Sequence, residues 1–160
     1  MGEPIAIERQ ALESMRAHVR EEYPDEAWGI LFESPEGQVV RSMTNVQNAL
    51  HEEDPEQHPR DAKTAYAPDP QELMQASRDG DRPGWRMAVF YHSHPEHDAY
   101  FSATDTKRAL WGGSVEMGPA YPGVIYVVFS VDAHTVGDVK AFAWDDDASE
   151  FLEVAFEVLA

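Results

Sequence analysis

The chain has 160 residues, with 30 acidic against 12 basic side chains, a net charge of −18, and no cysteine. The length suits one domain over residues 1–160. The composition excludes a disulfide framework, and no apolar run approaches the roughly 20 residues of a membrane span. Because so acidic a surface repels nucleic acid and anionic membranes, and because Met1–Pro4 lacks the pattern of a signal peptide, we expect a cytoplasmic protein with neither partner.

The first part of the chain predicts a helix followed by a hairpin. Apolar residues recur at helical spacing over residues 8–22, which indicates an amphipathic helix that ends before Pro24 and carries His18 on its exposed side. Residues 27–34 are typical of a strand, and residues 38–43 of its return strand.

A polar stretch separates this hairpin from the next regular elements. Residues 45–63 predict a long loop, in which we expect His51 and His58 to be solvated. Residues 66–68 indicate a short strand. A helix over residues 70–78 follows, because an aspartate cap precedes a proline at its first position.

The second half predicts most of the sheet. Residues 85–93 and 124–130 are apolar runs of strand type, residues 139–144 indicate another strand, and residues 151–158 favour a closing strand. Between the first two lies a helix over residues 102–111 with a serine cap. The order predicts an α/β (α+β) fold with a mixed sheet flanked by helices.

Two histidines stand at the end of the strand over residues 85–93. His92 and His94 are two residues apart, so on a strand both rings project from one face, about 6–7 Å apart at the backbone, and can reach one metal ion. Ser93 points the other way, and Pro95 favours the end of the strand.

A third ligand follows in the next helix. Ser102 is its predicted N-cap, and Asp105 occupies the third helical position on the same side. This spacing is also that of an ordinary capping arrangement. Together with His92 and His94, however, Asp105 completes two imidazoles and a carboxylate, and three protein ligands are usual in a catalytic zinc site.

These residues and their spacing resemble a known motif. His92-Ser93-His94-Pro95 followed by Ser102-x-x-Asp105, with seven residues between His94 and Ser102, is similar to the JAMM motif of the JAB1/MPN/Mov34 metalloproteases. That motif includes an upstream glutamate, and the segment from Tyr23 to Leu31 resembles the one that carries it, with Glu26 in the matching place.

The resemblance covers about the whole chain and implies both fold and activity. It implies a single MPN/JAB-like domain with a curved mixed sheet, similar to cytidine deaminases. It also implies Zn²⁺ held by His92, His94 and Asp105, with Glu26 as general base and the Ser102 hydroxyl donating to the developing oxyanion. The implied substrate is a peptide or isopeptide bond at the C-terminal Gly-Gly of a ubiquitin-like or sulfur-carrier protein, whose tail could bind by adding a strand to a sheet edge.

Two other classes fit part of the pattern. A non-haem Fe(II) oxygenase uses the same two histidines and one carboxylate, but would have no role for Glu26 or Ser102. A non-catalytic MPN-type binding module would keep the metal as a structural ion.

The charge is compatible with two origins. Only Lys63, Lys107 and Lys140 are lysines, and an acidic surface poor in lysine is typical of proteins from a high-salt cytoplasm, where salt screens the self-repulsion. An ordinary acidic protein from a GC-rich genome would look the same.

Salt distinguishes these two interpretations. If the excess of 18 negative charges limits stability, the melting temperature rises between 0.1 and 2 M KCl, because screening relieves the repulsion. Calorimetry in KCl measures this without the added effect of kosmotropic anions. A melting temperature that stays flat or falls over this range would contradict the high-salt interpretation.

Overall fold

The structure is a computed structural model that describes residues 5–160, so Met1–Pro4 and the expectation drawn from that segment lie outside the described residues. The strands are β1 (Ile5–Glu8), β2 (Trp28–Ser34), β3 (Gly37–Met43), β4 (Arg86–Pro95), β5 (Ile125–Val131), β6 (Val136–Asp145), β7 (Glu150–Val154) and β8 (Phe156–Leu159). The α-helices are α1 (Arg9–Glu22), α2 (Gln47–Glu53), α3 (Pro70–Gly80) and α4 (Ala103–Ala109). No helix within residues 5–160 is long and apolar enough to cross a membrane.

Six strands form one mixed sheet in the order β3-β2-β4-β5-β6-β7. The strands β4 and β5 run parallel, with α4 in the crossover between them, and the other neighbouring pairs of this sheet are antiparallel. The predicted mixed sheet with flanking helices is confirmed. Because β4 is hydrogen-bonded to β2 on one side and β5 on the other, the residues near its end are firmly held.

Side chains of the sheet alternate between two apolar layers. On β5, Val127 and Phe129 pack in the layer that contains α1, whereas Tyr126 and Val128 pack in the opposite layer with residues of α3 and α4. The predicted apolar stripe of α1 is confirmed, since its members are buried in the first layer: Leu12, Met15 and Val19.

The predicted loop over residues 45–63 is wrong for its first part, which forms α2. The only buried residue of this helix is polar Gln47, so no apolar periodicity reveals it in the sequence. Side-chain amides hold it instead. The Gln47 Nε2 donates to the Arg60 carbonyl at 2.8 Å, and the Asn48 Oδ1 accepts from the Ala62 amide at 2.8 Å.

The C-terminal prediction of one closing strand is also wrong. The strands β7 and β8 are separated at Ala155, whose carbonyl accepts from the Ile5 amide at 3.1 Å, and β8 then pairs in parallel with β1 in a second, two-stranded sheet. With only four residues, β1 is too short to show strand alternation in the sequence. The short strand predicted over residues 66–68 reduces to a single bridge between Asn45 and Pro68.

His18 is buried rather than at the surface of α1. Its ring is 7% exposed, and its Nδ1 lies 2.7 Å from the hydroxyl of Tyr91 on β4. Tyr91 reaches this position across Gly29, where a Cβ atom would lie 2.4 Å from the tyrosine ring. The polar ring is tolerated in the apolar layer because a distant strand provides its hydrogen-bond partner.

We expect Tyr91→Phe to destabilise the protein by about 1–3 kcal/mol, because the buried His18 Nδ1 loses its partner while the shape is kept. Urea unfolding measures the difference. Tyr100→Phe, at a side chain that is 52% exposed, is the matched control. Equal urea midpoints for Tyr91→Phe and the wild type would show that this hydrogen bond contributes nothing.

Candidate metal centre

The two predicted histidine ligands lie together at the buried end of β4. Because they are two residues apart on a strand, their rings share a face, and the two Nε2 atoms lie 3.2 Å apart. The His94 Nδ1 lies 2.9 Å from the carbonyl oxygen of Asp98, which leaves its Nε2 facing His92. The His92 ring stacks on Tyr66, with ring centroids 4.9 Å apart, while its Nδ1 is buried and finds no hydrogen-bond partner among residues 5–160.

Asp105 joins them from the first turn of α4. Ser102 is the N-cap, its Oγ accepts from the Asp105 amide at 3.0 Å, and Asp105 Oδ2 accepts from the Ser102 amide at 3.0 Å. This reciprocal capping box fixes the carboxylate, whose Oδ2 lies 3.1 Å from the Nε2 atoms of both His92 and His94.

The three atoms fit one tetrahedral metal ion. Zinc bonds to histidine nitrogen and carboxylate oxygen of about 2.0–2.1 Å place neighbouring ligands of a tetrahedron roughly 3.3 Å apart, close to the separations of 3.1 and 3.2 Å seen here. Within residues 5–160, His92, His94 and Asp105 are the one group of three histidine or carboxylate side chains close enough to share an ion. His51 and His58 lie outside this group, and the His51 Nδ1 lies 2.7 Å from the His58 carbonyl oxygen.

Burial disfavours the charged forms of these side chains, but the charges and hydrogen bonds of their neighbours have the larger combined effect on the pKa values. Burial by itself lowers the pKa of His94, yet the hydrogen bond and charge of Asp105 raise that pKa above its ordinary value. For Asp105, burial acts to raise the pKa, and the charges and hydrogen bonds of His92 and His94 bring it far below the usual range. These shifts favour a positive charge beside the carboxylate, and a divalent cation can supply that charge.

Glu26 lies in the same cleft, immediately before β2. Its amide donates to the Ala62 carbonyl at 2.6 Å, and the amide of the following Ala27 donates to the Ser93 Oγ at 2.8 Å. The serine between the two histidines therefore ties the glutamate segment to the strand that carries the ligands. Burial raises the pKa of Glu26 to about 8, and the nearby charge of His94 partly opposes the shift.

The cleft around these side chains has a volume of about 410 Å³. Its walls include Arg60, Tyr66 and Arg108, which the sequence did not single out. The Arg108 guanidinium lies 4.9 Å from the centroid of the Tyr66 ring, the same ring that stacks on His92. The positive charges of Arg108 and Arg60 lower the pKa of Glu26 and so favour its ionised form.

Comparisons with known proteins bear on the family and the fold of the chain. Residues 8–145 match the model of the prokaryotic homologs of the JAB domain. The chain is 31% identical over 157 residues to a desampylase from Haloferax volcanii, covering 96% of each chain. It is 32% identical over 158 residues to a probable TtuB-protein conjugate cleaving protease from Thermus thermophilus, covering 99% of this chain and 85% of the relative.

Solved structures show the same fold. A protein from Desulfitobacterium hafniense superposes with a TM-score of 0.67 at 24% identity, covering 97% of this chain and 92% of the other. A JAB1/MPN domain protein from Archaeoglobus fulgidus superposes with a TM-score of 0.53 at 15% identity, covering 99% and 100%.

The buried glutamate predicts how the stability of the metal-free protein depends on pH. Between the ordinary pKa of 4.5 and about 8, the folded protein keeps a proton on Glu26 that the unfolded chain releases. The free energy of unfolding therefore falls as pH rises through this window, by up to about 1.4 kcal/mol per pH unit. In Glu26→Gln this contribution is absent, so the variant gains stability over the wild type as pH rises from 5 to 8.

Urea unfolding of both proteins in EDTA at pH 5 and pH 8 measures this gain. Glu36→Gln removes an equal charge from an exposed turn and controls for net charge. If the difference between Glu26→Gln and the wild type is the same at both pH values, Glu26 is not held protonated by burial.

Proposed function

The chain belongs to the family of prokaryotic homologs of the JAB domain, and on that premise we propose that it is a zinc-dependent peptidase or isopeptidase. Its substrate would be a bond at the C-terminal Gly-Gly of a ubiquitin-like or sulfur-carrier protein. The observation that carries the proposal is the buried trio of His92, His94 and Asp105 together with the buried Glu26, which lines the same cleft as His94 and Asp105.

In this proposal His92, His94 and Asp105 would hold Zn²⁺ through the atoms that already face one another. Bound zinc supplies Lewis-acid polarisation of the scissile carbonyl and lowers the pKa of water. The preference for zinc follows from three nitrogen and oxygen ligands at near-tetrahedral separations, which leave a fourth direction for water or substrate.

Glu26 would act as the general base and then as the acid. Its carboxylate takes a proton from the attacking water and passes it to the leaving nitrogen, so that the C–N bond breaks with release of a neutral amine and not of an amide anion. A pKa raised to about 8 suits both steps near neutral pH, because the group both accepts and returns the proton. A bound divalent cation lowers this pKa again and favours the ionised form at the start of the reaction.

Ser102 would stabilise the negative charge that develops on the carbonyl oxygen. Its Oγ accepts the Asp105 amide hydrogen in the capping box, which uses only an oxygen lone pair. The hydroxyl hydrogen stays available to donate towards the substrate, so capping and catalysis are compatible roles.

The substrate class rests on the family and its named members. The Thermus relative is named for the cleavage of TtuB-protein conjugates, and the Haloferax relative is named a desampylase. A tail that ends in Gly-Gly presents no side chains next to the scissile bond, which suits a cleft lined by the ring of Tyr66 stacked on His92.

The test is the substitution Glu26→Gln, which is nearly isosteric and removes the proposed base without removing a ligand. With zinc, the wild type is expected to cleave a carrier with a Gly-Gly terminus from the lysine of a fluorescent peptide. In Glu26→Gln, kcat should fall by about 10²–10⁴-fold while elemental analysis still finds one zinc per chain. Asp105→Asn should lose zinc as well as activity, and Glu36→Gln should retain both.

The outcomes separate the three classes. Equal cleavage by Glu26→Gln and the wild type would contradict the hydrolase mechanism. Binding of the carrier without cleavage by the wild type in zinc would indicate the binding module. Turnover that needs Fe(II) and O₂ and survives Glu26→Gln would indicate the oxygenase.

A further inference from the structure

Asn45, between β3 and α2, makes four hydrogen bonds with its side-chain amide. The Nδ2 donates to the Glu26 carbonyl at 2.8 Å and to the Ala65 carbonyl at 3.2 Å. The Oδ1 accepts from the amides of Gln47 and Ala67, both at 3.0 Å. Because a carboxamide has two N–H donors and two acceptor lone pairs, every hydrogen-bonding position of this side chain is used.

These four bonds join three segments of the chain, two of which line the active-site cleft. One segment is the backbone of Glu26, another is the wall that includes Ala65 and the neighbouring Tyr66, and the third is the start of α2. The Glu26 peptide is held on its other side as well, since its own amide donates to the Ala62 carbonyl at 2.6 Å. The Glu26 carbonyl is therefore held by Asn45 directly, and the Glu26 amide is held by Ala62, three residues before the Ala65 carbonyl that Asn45 also holds.

We propose that Asn45 is a positioning residue for hydrolysis, which sets the place of the Glu26 carboxylate relative to the metal ligands by holding the Glu26 carbonyl against the cleft wall. The inference rests on the proposed function for its kinetic consequence. Only asparagine meets this requirement at this length. Aspartate cannot donate, glutamine is longer by one methylene, and serine or threonine has a single donor.

A purely structural role is the alternative. The bond from the Gln47 amide to the Asn45 Oδ1 is a local turn that starts α2, and aspartate serves such turns as well as asparagine does. Asn45→Asp keeps both acceptor bonds, but it places a carboxylate oxygen against the carbonyls of Glu26 and Ala65. A turn role therefore predicts that Asn45→Asp behaves like the wild type, whereas a positioning role predicts that it is impaired.

The kinetic test compares zinc-loaded wild type, Asn45→Asp and the control Thr44→Val. Thr44 is the preceding residue, and its hydroxyl donates to Glu72 at 2.7 Å, away from Glu26. For Asn45→Asp we expect kcat to fall by about 10–10²-fold, as misplacement of a catalytic group does, with zinc content unchanged and KM within about threefold. Thr44→Val should keep the wild-type kcat and KM. Should Asn45→Asp unfold, Asn45→Ala, which introduces no charge, gives the same test.

A double substitution shows whether Asn45 acts through Glu26. In the Glu26→Gln background the group that Asn45 places is gone, so adding Asn45→Asp should change the residual kcat by less than about twofold. Full wild-type activity of Asn45→Asp, or losses that multiply in the double variant, would overturn the inference and leave the proposed function standing.

Backbone amide hydrogen exchange in the metal-free protein tests whether Asn45 fixes the backbone of Glu26, and it requires no measurement of activity. We expect the Glu26 amide, bonded to Ala62, to exchange faster in Asn45→Asp than in the wild type or Thr44→Val. Unchanged exchange at Glu26 would overturn the inference. If the wild type cleaves no Gly-Gly conjugate, the proposed function fails, and exchange at Glu26 alone decides whether Asn45 positions it.

Discussion

Two imidazole nitrogens and a carboxylate oxygen lie within 3.2 Å of one another in a buried part of the molecule, and a cation must hold them together. A carboxylate taken from water without a compensating charge costs several kcal/mol, so the site requires either a proton or a metal ion between its ligands. The rigid elements around it serve this requirement. A strand paired on both sides carries His92 and His94, and the capping box of a short helix fixes Asp105.

The proximity of the three proposed ligands could be predicted from the sequence because each position depends on local geometry. The period of two along a strand aligns His92 with His94, and the third position of a capped helix directs Asp105 back to its cap. Their supporting residues come from distant parts of the chain. Tyr66 contacts His92, and Asn45 contacts Glu26. Between Asn45 and Tyr66 in the sequence lies α2, a helix whose buried residue is the polar Gln47. Neither contact leaves a local signal, because hydrogen bonds and ring stacking have no sequence period.

The errors in the fold have the same physical origin. Periodicity describes how a side chain meets an apolar layer, and it correctly identified the stripe of α1 and the strands of the main sheet. It missed β1 and merged β8 with β7, because β1 and β8 are four residues each and pair with each other across the length of the chain. It also failed for His18, since a polar ring at a core position is tolerated only because Tyr91 supplies a hydrogen bond from another strand.

Charge in the cleft is balanced differently from charge on the rest of the chain. Of 12 basic residues against 30 acidic ones, Arg60 and Arg108 line the cleft and lower the pKa of Glu26, whereas Asp105 raises it. Without these arginines, burial would favour a protonated Glu26 still more strongly, and a protonated carboxyl cannot accept a proton from water. The placement of two arginines next to a buried acid therefore serves the role proposed for Glu26.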